Sequence, residues 1–146
     1  MRDTGIIIKA TTDNTTYQTG QIYWVNLNGE GHIQNGWHPG IIVQCNKGNK
    51  HSPTIAIVPV TSKRKTSLPT HVYIQAGLFG LSKPSIAQCE GQRIVSKDQI
   101  GDYIGMVSTE FMKKIAIGCL INTPYLQYLN NNDITNIKDF SSRKTS

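Results

Sequence analysis

The chain has 146 residues, 38% hydrophobic and 16% charged, with 15 Lys and Arg against nine Asp and Glu for a net charge of +6. It is too apolar and too weakly charged to be wholly disordered, and its length suits one domain with a single core. No apolar run nears the ~20 residues of a membrane span, so a spanning protein is excluded, while the basic balance admits nucleic acid, an anionic surface or an acidic protein as partner.

Residues 1–19 are polar and Thr-rich around the triplet Ile6-Ile7-Ile8. They read as a poorly ordered extension with room for one edge strand, and the apolar run is too short for a signal peptide. From Gln21 to Leu27 the chain is rich in β-branched and aromatic residues and bounded by Gly20 and Asn28-Gly29, which predicts a strand. Residues 28–39 carry Gly, Asn and Pro and predict a long loop. A second strand is expected from Gly40 to Cys45, then a basic turn from Asn46 to Pro53. A third strand runs from Thr54 to Thr61, where Pro59 suggests an edge or a strand end.

Ser62 to Pro69 forms a second basic loop. Thr70-His71-Val72-Tyr73-Ile74 alternates like a strand with one side facing solvent. Short strands follow at Pro84 to Cys89, Gln92 to Ser96 and Tyr103 to Val107, with one helical turn at Lys97 to Ile100. A helix begins after Ser108 or Thr109 and carries Phe111, Met112, Ile115, Cys119 and Leu120 at helical spacing. Gly118 weakens it and Pro124 lies just past its end. Asn130-Asn131-Asn132-Asp133 and the last six residues read as a mobile tail. Short strands with Gly, Pro and Asn between them indicate a mainly β fold, a small barrel or sandwich rather than βαβ units.

The charge is unevenly spread. Residues 31–89 contain no Asp or Glu, yet hold Lys47, Lys50, Lys63, Arg64, Lys65, Lys83 and all four histidines. That block is either an ordinary solvated basic face or a polyanion-binding surface. Cys45, Cys89 and Cys119 form no C-x-x-C pair and the histidines have no paired spacing, so no metal site is expected. With no secretion signal, a reduced cytoplasmic protein is the default.

Three segments carry chemistry-bearing residues. The glycine-bounded loop Gly31 to Gly40 presents His32, Gln34, Trp37 and His38. Histidine can exchange protons near neutral pH and Trp can stack on a base, although a packed hairpin loop would look the same. Thr61-Ser62-Lys63-Arg64-Lys65 sets two hydroxyls before three cations, a pattern for phosphate or for a solvated hairpin tip. Glu90 and Arg93 are either a carboxylate base beside a phosphate-binding guanidinium or a surface ion pair.

Taken in order, these phrases resemble the MazF/PemK toxin family. They are Gly20-Gln21-Ile22-Tyr23-Trp24-Val25-Asn26-Leu27; Gly31-His32-x-Gln34-x-Gly36-x-x-Pro39; Asn49-Lys50-His51-Ser52-Pro53-Thr54; Val58-Pro59-Val60-Thr61-Ser62-Lys63; Leu68-Pro69-Thr70-His71-Val72; and Cys89-Glu90-x-x-Arg93 with the Ile104 to Met112 segment. The resemblance covers residues 20–121, leaving residues 1–19 as an extension and 122–146 as a polar, partly mobile tail.

The resemblance implies a small SH3-like β-barrel with a C-terminal helix, a homodimer with no membrane association, and an endoribonuclease cutting single-stranded mRNA. Neither metal nor cofactor is implied: the ribose 2′-hydroxyl attacks the adjacent phosphate and leaves a cyclic phosphate. A cognate acidic antitoxin would inhibit it. Carried over residue by residue, it implies catalytic roles for His38, Thr61, Glu90 and His32. It implies RNA contacts for Gln34, Trp37, Ser62, Lys63, Arg64, Lys65 and Arg93. This sequence departs from the family pattern in four places. His38 stands where the family has arginine before Pro39, Gly40 replaces a Val, Gln88 replaces a second arginine, and Gly91 replaces a glutamine. The alternatives are a catalytically weak module that binds RNA or antitoxin, and a CcdB-like gyrase inhibitor, which the absence of a C-terminal Trp disfavours.

Overall fold

The structure, a computed structural model, describes residues 15–28, 36–63 and 66–143. Among the described residues, seven strands and three α-helices follow one another as β1 (Gln21–Leu27), β2 (Gly36–Ile42), α1 (Asn46–His51), β3 (Thr54–Thr61), β4 (His71–Ile74), β5 (Ser85–Gln88), β6 (Arg93–Ser96), β7 (Ile100–Met106), α2 (Thr109–Asn122) and α3 (Asn131–Ser142). All the ladders are antiparallel, in the order β4-β5-β3-β2-β1-β7, with β6 also paired to β3. This is the expected mainly β class with a helix after the last strand. The hydrogen-bonded path stays open between β4 and β7. A 3₁₀ turn at Leu78–Gly80 packs there against β7. A side chain at Gly80 would collide with the Ile104 carbonyl oxygen, and one at Gly105 with the Phe79 carbonyl oxygen, so glycine is what lets the two backbones touch.

Strands β1 and β3 run as their composition predicts. The second strand starts earlier than expected, at Gly36. Pairing with β1 (Trp24 with Pro39, Asn26 with Trp37) overrides the local Gly/Pro signal. The expected basic turn is helix α1, anchored by buried Asn49, whose Nδ2 donates to the Gln44 carbonyl at 3.0 Å. Pro59 marks neither an edge nor a strand end. It lies inside β3, the strand with the most partners, between the residues paired to β6 (Thr54–Ile57) and those paired to β5 (Val60 and Thr61). The missing N–H falls where the partner changes, which is where a central strand tolerates proline.

Two buried clusters sit on opposite faces of β3. One gathers Ile22, Ile41, Val58, Val60, Val72, Ile74 and Ala87 under Phe111 and Ile115 of α2; the other gathers Tyr23, Val25, Leu27, Ile42, Ile55, Ile57, Val95 and Ile100. Ser108 caps α2, its hydroxyl accepting from the Phe111 N–H at 3.1 Å. Phe111, Ile115 and Gly118 are the buried residues of α2, whereas Leu120, at the same helical spacing, is 42% exposed. A Cβ on Gly118 would lie 2.6 Å from the Cys89 sulfur, so glycine sets how closely α2 approaches the turn after β5. Beyond Pro124, where a mobile tail was expected, the chain forms a 3₁₀ turn (Pro124–Tyr128) and helix α3. A reciprocal cap starts α3: the Asn130 side chain accepts from the Asp133 N–H, and Asp133 accepts from the Asn130 N–H.

Candidate active site

The site grows from strand register. In antiparallel pairs, residues directly opposite each other share a face. Thr61 of β3 pairs with Ile86 of β5, and Ile86 pairs with Tyr73 of β4. On the other side, the β2–β3 ladder pairs Gly40 with Pro59, and both His38 and Thr61 lie two residues beyond that pair. A single transverse row therefore runs His38, Thr61, Ile86, Tyr73 across four strands. One step along, His71 pairs with Gln88 on the same face.

The chain just past Gln88 makes a 3₁₀ turn, Cys89–Gly91, that lifts Glu90 over this face. Its carboxylate meets two side chains: Thr70 Oγ1 donates to Oε1 at 2.9 Å, and His71 Nε2 lies 2.8 Å from Oε2. The ionised carboxylate only accepts, so Nε2 carries the hydrogen of that bond. The His71 side chain is 7% exposed and that of Glu90 is 30%. The His71 Nδ1 is buried, and among the described residues no group bonds it. Burial opposes ionisation of Glu90, but its own backbone N–H and the bonds from His71 and Thr70 outweigh it and hold the carboxyl below its ordinary value.

The turn is pinned from beneath. The Cys89 N–H donates to the Thr70 carbonyl at 3.1 Å, and the Cys89 Sγ to the Ile115 carbonyl at 3.6 Å. Its interaction with the neighbouring Cys119 thiol and its burial push the Cys89 thiol up, while the same interaction draws Cys119 down. Gly91 packs under the Pro59 ring, where a Cβ would lie 3.0 Å from Cγ. A side chain at this position would press on that ring. Arg93 follows at the start of β6, half-buried, its Nε donating to the Gly91 carbonyl at 3.3 Å; burial lowers its pKa.

Thr61 is 2% exposed, and its Oγ1 accepts the Lys63 N–H at 3.1 Å. That bond uses an acceptor position and leaves the hydroxyl hydrogen to donate elsewhere. Gly40 leaves its hypothetical Cβ 3.0 Å from Val25 and 3.3 Å from Ile57. Gln88 is buried beside His71, a position where an unpaired cation would be costly. Trp37 is half-buried on β2, and alternation turns it to the face opposite His38. Ser62 and exposed Lys63 continue from Thr61 into an open cleft of about 760 Å³ shared with Tyr73, Lys83, Pro84, Ser85 and Ile86. His32, Gln34, Arg64 and Lys65 lie outside the described residues. Among the described residues no three His, Cys, Asp or Glu side chains gather at one centre, and no helix is long and apolar enough to cross a membrane.

The structure thus brings Thr61 and His38 to the same end of neighbouring strands, and joins Glu90 to Thr70 and His71. Sequence reasoning gave those last two residues no role. A signal existed in the alternation of residues 70–74, which sets His71 and Tyr73 on one side of a short strand.

Residues 18–119 match the family model described as PemK-like, MazF-like toxin of type II toxin-antitoxin system. The chain belongs to this toxin family. It is 32% identical over 98 residues to the endoribonuclease MazF of Staphylococcus saprophyticus, covering 66% of this chain and 82% of that protein. The endoribonuclease EndoA of Bacillus subtilis is 33% identical over 98 residues, covering 66% and 84%. Among solved structures, an endoribonuclease in complex with its cognate antitoxin from a mycobacterial species superposes with a TM-score of 0.60 at 28% identity, covering 73% of this chain and 93% of that one. MazF of Deinococcus radiodurans superposes at 0.64 with 20% identity, covering 75% and 100%, and supports the fold. The matched toxin region ends inside α2, so α3 lies beyond it.

Proposed function

We infer that this chain is a toxin-type endoribonuclease that cuts single-stranded mRNA without metal, by attack of the ribose 2′-hydroxyl on the adjacent phosphate. The observation that carries the reading is the Thr70–Glu90–His71 group beside the His38–Thr61 row, in a chain whose relatives are named endoribonucleases. Glu90, held ionised at neutral pH, is suited to take the 2′-hydroxyl proton, and the two donors fix its orientation. Thr61 donates its hydroxyl hydrogen to a non-bridging phosphate oxygen as negative charge builds there. His38 is placed to return a proton to the departing 5′-oxygen, with His32 as a second histidine of the same segment. Lys63, Arg64, Lys65 and Arg93 supply positive charge to the RNA backbone, and Gln34 and Ser62 supply polar contacts. The bond between the 5′-oxygen and phosphorus breaks, leaving a 2′,3′-cyclic phosphate and a 5′-hydroxyl.

In the same reading the chain works in the cytoplasm as a homodimer and is silenced by an acidic cognate antitoxin. Antitoxin complexes of structurally similar toxins support that partner. One observation favours a second reading, in which the chain binds RNA or antitoxin but cleaves weakly: His38 occupies the place of a family cation. End-group analysis of RNA incubated with the purified protein and a chelator separates the two.

A further inference from the structure

We propose that Tyr73 is a nucleobase-stacking platform, placed one strand beyond Ile86 from Thr61, and that Lys83 holds the adjoining phosphate. The proposal rests on the reading of this site as one that binds single-stranded RNA. Tyr73 is a large aromatic side chain 64% exposed in the middle of a strand, on the face its pairing with Ile86 shares with Thr61. Strand spacing sets the Tyr73 and Thr61 backbones roughly 10 Å apart. His71, two residues before Tyr73, ties the same strand face to Glu90.

The chemistry of the cleft agrees. Tyr73 and Ile86 give it an apolar and aromatic floor, while Lys63, Lys83, Ser62 and Ser85 line it with cations and hydroxyls. No Asp or Glu occurs between residues 31 and 89, so every lining residue comes from the acid-free block. Its volume, about 760 Å³, lies in the range of small-ligand sites. An aromatic ring flanked by lysines suits a base with its phosphate, because each base offers a π-face and each phosphate a charge. An acidic peptide would use the lysines but has no need of an exposed ring on the row of Thr61.

The test uses the full chain and fluorescent 2′-O-methyl RNA 12-mers of mixed sequence, which bind without being cut. Tyr73→Ala should raise Kd by about 5- to 150-fold, while Tyr73→Phe, which keeps the ring, should stay within about twofold of wild type. Lys83→Ala should lower the slope of log K against log salt by about 0.7. Unchanged binding by Tyr73→Ala, in a background where wild type binds and cleaves, overturns the platform and leaves the endoribonuclease reading standing. Tyr73-dependent binding by a wild type that cannot cleave supports the platform and overturns that reading. If Tyr73→Ala loses an acidic peptide but not RNA, the residue serves a protein contact and the proposal fails.

Discussion

Glu90 Oε2 and His71 Nε2 lie 2.8 Å apart, in a contact that joins the 3₁₀ turn after β5 to the first residue of β4. Together with Thr70 at 2.9 Å, it fixes a partly exposed carboxylate in one orientation above a sheet face. A carboxylate held by two side-chain donors keeps its charge and its aim, the two properties a general base needs. Glu90→Gln should therefore lower the RNA cleavage rate by about 10²- to 10⁴-fold while leaving RNA binding nearly intact. Single-turnover cleavage and anisotropy on the same variant measure the two effects separately.

The same contact makes stability depend on acid. The folded state lowers the Glu90 pKa below its ordinary 4.5, so the unfolded chain binds its proton more readily. The stabilisation is complete above about pH 4.5 and is lost as pH falls through the lower folded value. Urea midpoints measured from pH 6 to pH 3 should fall less steeply in Glu90→Gln than in wild type. Equal slopes would detach Glu90 from the acid response.

His38→Ala and Thr61→Val should each reduce cleavage by about 10²- to 10³-fold, the size expected for losing one positioned donor at a charged transition state. Thr61→Val replaces a hydroxyl with a methyl, so a melting curve within a few degrees of wild type would show that the loss is chemical. Cleavage at the wild-type rate in either variant would remove that residue from the reaction.

Gly118→Ala should destabilise the protein by about 1–3 kcal/mol through overpacking. The new methyl would stand 2.6 Å from the Cys89 sulfur and 3.3 Å from the Thr70 carbonyl, both beneath the Glu90 turn. Combining it with Cys89→Ala should recover part of the loss, because the sulfur that meets the methyl is gone. Strictly additive denaturation energies in the double-mutant cycle would contradict the contact.

Residues 21–27 and 54–61 announce themselves as strands because burial and composition agree there, and both form as read. Residues 36–42 do not, because Gly36, Pro39 and Gly40 speak locally for a loop while long-range pairing to β1 and β3 makes a strand. Pro59 misleads for a related reason: its fitness for a central strand depends on a change of partner that only the folded sheet contains. Thr61, Glu90 and Arg93 enter the candidate site as what the order of family phrases implies. The Thr70–Glu90–His71 group was not legible in the sequence, since residues 19 and 20 apart in sequence meet only through the β4–β5 ladder and the turn that follows it. Helix α3 escaped notice because its polar composition hides a reciprocal cap at Asn130 and Asp133.

The account turns on the chemistry at the phosphate, and the ends of the cut RNA report it most directly. The purified chain, incubated with single-stranded RNA in excess chelator, should yield fragments ending in 2′,3′-cyclic phosphate and beginning with 5′-hydroxyl. No cleavage over varied RNAs at high protein concentration, or products bearing 5′-phosphate, would contradict it.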